Sequence, residues 1–387
     1  MTTERVLVVG AGLGGLRTVE ELRRAGHSGP LTLVGDETAW PYDRPPLSKA
    51  ALQAGTPAPL LRPVEDYPEL DLDLRLGSPA VRLDTAARQV HLANGTVLEY
   101  DALVLAPGAA PRPLPGATMP GMHLLRTQDD MVALRRAVLE HGALTVVGGG
   151  FIGCEVAASA RRLGADVDLV ELLPGPLTRV LGPVLAGRIA QLHTDHGVRL
   201  HGGVRVVGVH GDAAVEAVEL DDGRVLPARA VLVGLGVVPA TAWLTGTLDL
   251  APDGGIRCSK TGLATEGVWA VGDAAAWGDA RRIEHWTSAV EQAAAVAQSV
   301  LGRPTPDTSL PYVWSDQYDS TLQCLGEVGP DTESETLEVG AGLAALHTDG
   351  DRLVGAALLD LRRQTGRVRR VLAAAGSVDE AREALLR

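Results

Sequence analysis

Only three cysteines occur in the 387 residues, Cys154, Cys258 and Cys324, and none lies near another. They supply no disulfide framework and no Cys-x-x-Cys site, which fits a reducing, cytosolic setting. No uninterrupted apolar run reaches the length a bilayer requires, and the N-terminus does not read as a secretory signal. Positive charge is in deficit: Lys+Arg total 35 against 48 Asp+Glu, a net charge of -13. Such a chain is a poor candidate for broad electrostatic contact with nucleic acid or an anionic membrane. Gly and Pro, at 46 and 24, fall short of a low-complexity composition. What remains is an ordinary globular mix, 45% hydrophobic and 21% charged, long enough for about two to three domains.

What is abundant is self-similarity. Val8-Val9-Gly10-Ala11-Gly12-Leu13-Gly14-Gly15 returns as Val146-Val147-Gly148-Gly149-Gly150-Phe151-Ile152-Gly153. Residues 90–98 return as 218–226, and the match continues through Ala102-Leu103-Val104-Leu105 and Ala230-Val231-Leu232-Val233 to Pro111 and Pro239. Asn94-Gly95 and Asp222-Gly223 supply hairpin turns. The apolar runs that follow read as strands of a parallel sheet covered on both faces. Two similar α/β units are therefore expected, residues 1–112 and 113–232. Residues 233–304 add a Gly272-Asp273 turn and an alanine-rich helix over about 288–301. The stretch Arg303-Pro304-Thr305-Pro306 reads as a linker. A small α+β tail follows, with strands around 323–328, 336–339 and 353–359, then helices.

Gly10-x-Gly12-x-x-Gly15, with Leu13 and Gly14 inside it, sits between an apolar strand, 6–9, and a helical stretch, 16–25. That is the context of a dinucleotide fingerprint. The first glycine allows the tight turn, the second lets backbone approach a pyrophosphate, and the third packs helix on strand. The helix N-terminus offers its N–H groups to the phosphates. Gly148-x-Gly150-x-x-Gly153, enclosing Phe151 and Ile152, has the same context. At the end of its next strand, 167–170, stands Glu171. A carboxylate there accepts ribose hydroxyls and repels a 2′-phosphate, which favours NADH over NADPH, whereas Arg179 is the residue type a 2′-phosphate takes. In the first copy either Asp36 or Glu37, just past Gly35, meets the ribose. Two fingerprints suggest two dinucleotides, one held and one exchanging. A flavin with a nicotinamide is the productive pair, since hydride passes from ring to ring.

Further motifs are Pro41-Tyr42-Asp43-Arg44-Pro45-Pro46-Leu47-Ser48-Lys49, Leu125-Arg126-Thr127, Gly234-Leu235-Gly236, Glu284-His285-Trp286 and Trp314-Ser315-Asp316-Gln317-Tyr318. With these the chain resembles the FAD-dependent NADH:ferredoxin reductases of the putidaredoxin and rubredoxin reductase type. These are glutathione-reductase-like flavoproteins, with apoptosis-inducing factor as a relative. The resemblance implies an α/β fold of two Rossmann-like dinucleotide-binding domains, one of them discontinuous, plus a small α+β C-terminal domain. FAD would occupy 1–112 with 233–304, NAD 113–232, and the C-terminal domain 305–387.

The resemblance also implies roles. Arg44 and Arg126 would contact FAD phosphate or ribose, and Asp273, at a helix N-terminus, the ribitol chain. Lys49 would sit by flavin N5, paired with Glu155; a cation there stabilises the reduced ring. Trp286 and Trp314 would line the flavin, and Val81, Ala106 and Gly108 belong to the same site. Gly236 and Glu284 join the NAD site, Glu284 near the carboxamide. Where the family carries Ala-Thr-Gly, this chain has Ala106-Pro107-Gly108, which lacks an N–H and a hydroxyl. No cysteine precedes Cys154, so the flavin lacks the thiol relay of disulfide reductases. Cys154 itself reads as a small buried hydrophobe.

The expected activity is electron transfer from NADH through FAD to a ferredoxin or rubredoxin-like carrier serving an oxygenase, in the cytoplasm. Two alternatives are an NADH oxidase or diaphorase without a protein partner, and a redox-sensing interaction protein resembling apoptosis-inducing factor. His193, His196 and His201 cluster loosely but lack the frame of a metal site. Trp269 and Trp277 read as core residues. Arg362, Arg363, Arg367, Arg369 and Arg370 form either a solvated face or a dock for an acidic ferredoxin.

Overall fold

The computed structural model describes residues 5–116, 119–278, 282–305, 310–329 and 332–387. The chain divides into two compact units. One comprises Met1–Asp43, Pro59–Ala110 and Val237–Ser309; the other comprises Arg44–Ala58, Pro111–Gly236 and Leu310–Arg387. The Pro41–Lys49 motif therefore divides after Asp43.

In the first unit the apolar strand Val6–Val9 lies between Leu31–Val34 and Ala102–Leu105, parallel to both. Asp73–Arg75, Val268–Ala270 and Leu263–Thr265 complete a six-stranded sheet. Side chains alternate across a strand, and both faces are covered, as a parallel sheet requires. Val6 and Val8 pack with Leu16, Val19 and Leu22 of the helix Leu13–Arg24 and with Val296 and Val300 of the helix Trp286–Val300. Leu7 and Val9 pack with Leu83, Val90, Leu92 and Tyr100. The last group comes from a small antiparallel sheet that holds the Asn94-Gly95 hairpin.

The second unit repeats the plan. Ala143–Val147 lies between Asp166–Glu171 and Val231–Val233 in an all-parallel five-stranded sheet. An antiparallel sheet of Val206–His210, Ala217–Leu220 and Val225–Pro227 carries the Asp222-Gly223 hairpin. The duplication read from the sequence is thus a repeated strand order.

The C-terminal region holds more strands than expected. Tyr312–Gln317, Ser320–Gly326, Arg352–Leu359, Gly342–Asp349 and Glu333–Val339 form one antiparallel sheet in that order. Helices Arg362–Ala373 and Val378–Leu386 cover one face through Val368, Leu372 and Leu385. Leu181, Leu185 and Ile189 of the helix Thr178–Asp195 pack on the other. Two of these strands hide from pattern reading. Tyr312–Gln317 buries the polar Ser315 and Gln317, and Gly342–Asp349 is alanine-rich and buried on both faces at its centre. Pairing within the sheet overrides the weak strand propensity of the alanines in the second. The last linker residue, Pro306, lies outside the described residues. Among the described residues no helix is long and apolar enough to cross a membrane.

Candidate functional site

The two glycine turns are built alike. Gly10 and Gly148 have φ of 111° and 105°. A Cβ on Gly10 would lie 2.0 Å from the Ala106 carbonyl oxygen, and one on Gly148 would lie 2.4 Å from that of Gly234. Strand end and turn therefore touch backbone to backbone. The third glycine closes the helix onto the turn: a Cβ on Gly15 or Gly153 would lie 1.8 or 2.0 Å from the carbonyl oxygen of Gly10 or Gly148. The middle glycines differ. A Cβ on Gly12 or Gly150 would meet nothing within 4 Å. Both are helix N-caps without a side-chain cap bond. Each turn thus aims the N-terminus of its helix at open space bounded by backbone, which fits the diphosphate of a dinucleotide. Ala106 and Pro107 abut the first turn, with the Ala106 N–H on the Val9 carbonyl at 2.7 Å, and Gly108 follows with a φ of 68°.

The acids beyond the next strand do not match. Val34 and Val170 occupy equivalent places, since their carbonyls accept the N–H groups of Gly10 and Gly148. Glu171 therefore corresponds to Gly35. The Glu171 carboxylate accepts the Gly149 N–H at 2.7 Å and the Leu173 N–H at 2.8 Å, beside the second turn. In the first copy Asp36 is exposed and accepts the Glu37 N–H, while Glu37 accepts the Tyr42 hydroxyl at 2.6 Å. Arg179 is exposed near the start of the helix Thr178–Asp195.

Within the second unit, Lys49 Nζ lies 2.6 Å from Glu155 Oε2, with the two side chains 17% and 3% exposed. Two hydroxyls also donate to that carboxylate, Ser48 to Oε2 and Ser315 to Oε1. A buried ion pair persists only when its remaining lone pairs are satisfied in this way. Of the 35 Lys and Arg residues only Lys49 and Lys260 are lysines. A compact ammonium rather than a planar guanidinium thus stands at this buried pair. Arg44 and Arg126 are also brought together: Arg44 Nη1 donates to the Arg126 carbonyl at 2.6 Å. Thr127 makes a capping box with Asp130 at the start of the helix Gln128–His141, which accounts for the Leu125-Arg126-Thr127 motif. Trp314 stacks on Tyr312 with ring centroids 6.0 Å apart, and Gly236 takes a φ of 85°.

In the first unit, Asp273 stands in a single 3₁₀ turn, Gly272–Ala274. This corrects its expected place at a helix N-terminus; the nearest long helix starts only at Trp286. The Gly272-Asp273 motif is a glycine corner, with φ of 74° at Gly272 and its N–H held by the Gln292 side-chain oxygen Oε1 at 2.7 Å. Arg282, which sequence reading missed, donates to the Asp273 carbonyl and to Glu284, both at 2.6 Å. Trp286 Nε1–H donates to Asp43 at 2.9 Å. Val81 is 49% exposed on the strand Ala80–Asp84.

The remaining readings resolve structurally. Trp269 and Trp277 pack against the first unit's core. All three cysteines are buried. Burial pushes the Cys258 and Cys324 thiols up to about 12 and Cys154 above its ordinary range, so none is a reactive thiolate. His193 bonds Gln317 and Tyr318, and His201 bonds Asp168. Among the described residues no group of His, Cys, Asp and Glu is arranged to hold a metal ion. Arg362 is bound to Asp316 and Thr321, while Arg363, Arg369 and Arg370 are exposed.

Comparison with known proteins agrees with this geometry. The family model for pyridine nucleotide-disulphide oxidoreductases matches residues 4–293, and that for the reductase C-terminal domain matches 312–384. Rhodocoxin reductase of Rhodococcus erythropolis is 40% identical, covering 95% of this chain and 89% of that one. The ferredoxin--NAD(+) reductase subunit of the benzene 1,2-dioxygenase system of Pseudomonas putida is 35% identical, over 89% and 87%. Among solved structures, the ferredoxin reductase for the CYP199A2 system from Rhodopseudomonas palustris superimposes with a TM-score of 0.93 at 33% identity, covering 98% and 97%. The reductase in a covalent putidaredoxin reductase–putidaredoxin complex gives a TM-score of 0.91 at 29% identity, covering 100% and 99%.

Proposed function

We propose that this chain, which belongs to the pyridine nucleotide-disulphide oxidoreductase family, is an NADH-dependent flavoprotein reductase. It passes electrons through FAD to a ferredoxin or similar iron–sulfur carrier that serves an oxygenase. The observation that carries this reading is the repeated glycine turn, two backbone cradles each open in front of a helix N-terminus. One relative over 89% of the chain is the ferredoxin--NAD(+) reductase subunit of a dioxygenase system, another is a rhodocoxin reductase, and one solved relative is joined to putidaredoxin.

FAD is assigned to 1–112 with 233–304, NADH to 113–232, and residues 305–387 to the C-terminal domain. FAD held here would supply the change from a two-electron hydride donor to a one-electron carrier. The protein's own work is to bind, orient and neutralise. The helix N-termini behind Gly12 and Gly150 take the two diphosphates. Glu171 takes the NADH ribose, by exchanging its two backbone N–H partners for hydroxyls. Arg44 and Arg126 hold FAD phosphate or ribose, Asp273 the ribitol, and Trp286 and Trp314 bound the ring. Lys49 would meet the flavin ring with Glu155 keeping it in place, and its ammonium would stabilise negative charge there. The buried cysteines support direct electron exit without a thiol intermediate, and free thiols support a cytoplasmic location.

NADH-driven reduction of cytochrome c, with and without a panel of ferredoxins, tests the assignment. Strong dependence on one ferredoxin is expected. Rapid NADH consumption with oxygen alone, indifferent to every ferredoxin, would establish an oxidase instead.

A further inference from the structure

Behind Glu155 the second unit buries further polar side chains that the reading above leaves unused. Glu155, Ser315, Gln317 and His193 are 3%, 0%, 1% and 0% exposed. Ser315 Oγ lies 2.7 Å from Glu155 Oε1, Gln317 Nε2 lies 3.1 Å from Ser315 Oγ, and Gln317 Oε1 lies 3.0 Å from His193 Nε2. His193 Nδ1 lies 3.1 Å from the Tyr318 hydroxyl.

One charge dictates the direction of every bond. An ionised carboxylate only accepts, so Ser315 gives its single proton to Glu155. Its oxygen must then accept from the Gln317 NH₂, which leaves the amide oxygen facing His193. That oxygen also only accepts, so His193 carries its proton on Nε2. Nδ1 is then bare and accepts the Tyr318 phenol. Reversing any member would set two hydrogens or two lone pairs against each other in a buried space, where unsatisfied polar atoms are costly. The far end is built to match. Tyr318 adopts a left-handed φ of 54°. Its ring lies flat on His196, with centroids 3.7 Å apart, and edge-on to His193. Burial lowers the His193 pKa to about 4, so the imidazole is neutral, as the row requires.

We propose that His193, Gln317 and Ser315 are positioning residues, a one-way row of hydrogen bonds that holds the Glu155 carboxylate in one orientation and through it fixes the Lys49 ammonium. The consequence for the reaction rests on the reading that Lys49 faces the flavin. The row is not a proton wire: an amide passes no proton along without becoming its imidic form, so Gln317 insulates Glu155 from Tyr318.

The test combines nitrogen-15 NMR of the histidine- and lysine-labelled holoprotein with rapid reduction of its flavin by NADH. In the wild type His193 is expected as the Nε2–H tautomer, and with two lysines in the chain the Lys49 ammonium is readily assigned. Ser315→Ala and Gln317→Leu should shift the Lys49 resonance and slow flavin reduction by about tenfold, the worth of one hydrogen bond to a charged group. NADH affinity should stay within about twofold, because the loss lies in positioning and not in binding. Ser315→Thr, which keeps the hydroxyl, should restore both readouts. An Nδ1–H His193, or variants with a wild-type Lys49 resonance and reduction rate, would overturn the proposal; the tautomer needs no variant to fold. Lys49→Ala separates the two readings. If it reduces at the wild-type rate, the placement of Lys49 at the flavin fails, and the row is judged by the tautomer and the Lys49 resonance.

Discussion

The two units share a turn and differ in what they bury. Backbone closure at Gly10 and Gly15 is repeated at Gly148 and Gly153, and both middle glycines face open space. Yet among the described residues the buried polar side chains of the first unit are Thr18, Thr241, Ser288 and Gln292, none of them ionisable, while the second unit buries Glu155, His193 and His347 as well. At the strand end Gly35 stands where the second copy has Glu171. A dinucleotide cradle is thus set by backbone approach alone and tolerates any interior. The second unit buries a carboxylate and two imidazoles, and among the described residues the first buries neither kind of group.

The hardest way to break this comparison is to give the turns a side chain. Gly10→Ala or Gly148→Ala places a methyl at 2.0 or 2.4 Å from a backbone oxygen, on a φ that disfavours any Cβ. Neither side of that contact is a flexible side chain. We expect losses above about 4 kcal/mol or failure to fold, the range reserved for overpacking and backbone strain. Gly12→Ala and Gly150→Ala have room and ordinary φ, so melting should move by less than about 1 kcal/mol while the corresponding dinucleotide is lost. Calorimetry with flavin content and NADH titration reads both. A Gly12→Ala protein that keeps its flavin, or a Gly10→Ala protein of native stability, would dissolve the equivalence of the turns.

Acid should separate the units next. His193 is buried neutral with its pKa lowered to about 4 from 6.5, by burial. The unfolded chain therefore binds a proton below pH 6.5 that the folded one refuses until about pH 4. Stability is fully present above 6.5 and is lost as pH falls through that window, by on the order of 3 kcal/mol. His123 and His347 shift in the same direction in the second unit, against His285 in the first. Thermal unfolding between pH 7 and pH 4.5 should weaken the second unit more, and His193→Gln should flatten the dependence. Equal sensitivity of both units would erase the distinction.

What the sequence displayed was whatever repeats or is locally encoded. The glycine turns, their flanking strands and both hairpins were legible from short motifs, and the pairing of Lys49 with Glu155 came only through the family resemblance. The buried row was not. Ser48, Ser315, Gln317 and His193 carry no local pattern that marks them as partners, and they come from three separate stretches of chain. His193 even looked like a member of a loose histidine cluster with His196 and His201, although its partners are an amide and a phenol. The strand that delivers Ser315 and Gln317 was hidden by the same feature that makes it interesting, polar residues pointing inward. Arg282 escaped for a similar reason, since its acceptors include a main-chain carbonyl. Long-range polar contacts leave no period in a sequence, whereas backbone turns leave glycine.

The finest test of the comparison is Glu171. Its carboxylate accepts two backbone N–H groups beside the second turn, which holds it at the strand end that borders that turn. Glu171→Ala removes a charged acceptor of two hydroxyls, worth about 1.5–3 kcal/mol, and NADH should weaken roughly tenfold to a hundredfold. NADPH should lose far less, because the same change removes the charge that repels a 2′-phosphate, and Arg179 is close in sequence to take advantage. Flavin content should not move, since the first copy has Gly35 at the equivalent place and has never depended on an acid there. NADH and flavin lost in equal measure would mean that the strand end of the second copy does not choose its dinucleotide, and the difference between Gly35 and Glu171 would then be one of sequence without chemistry.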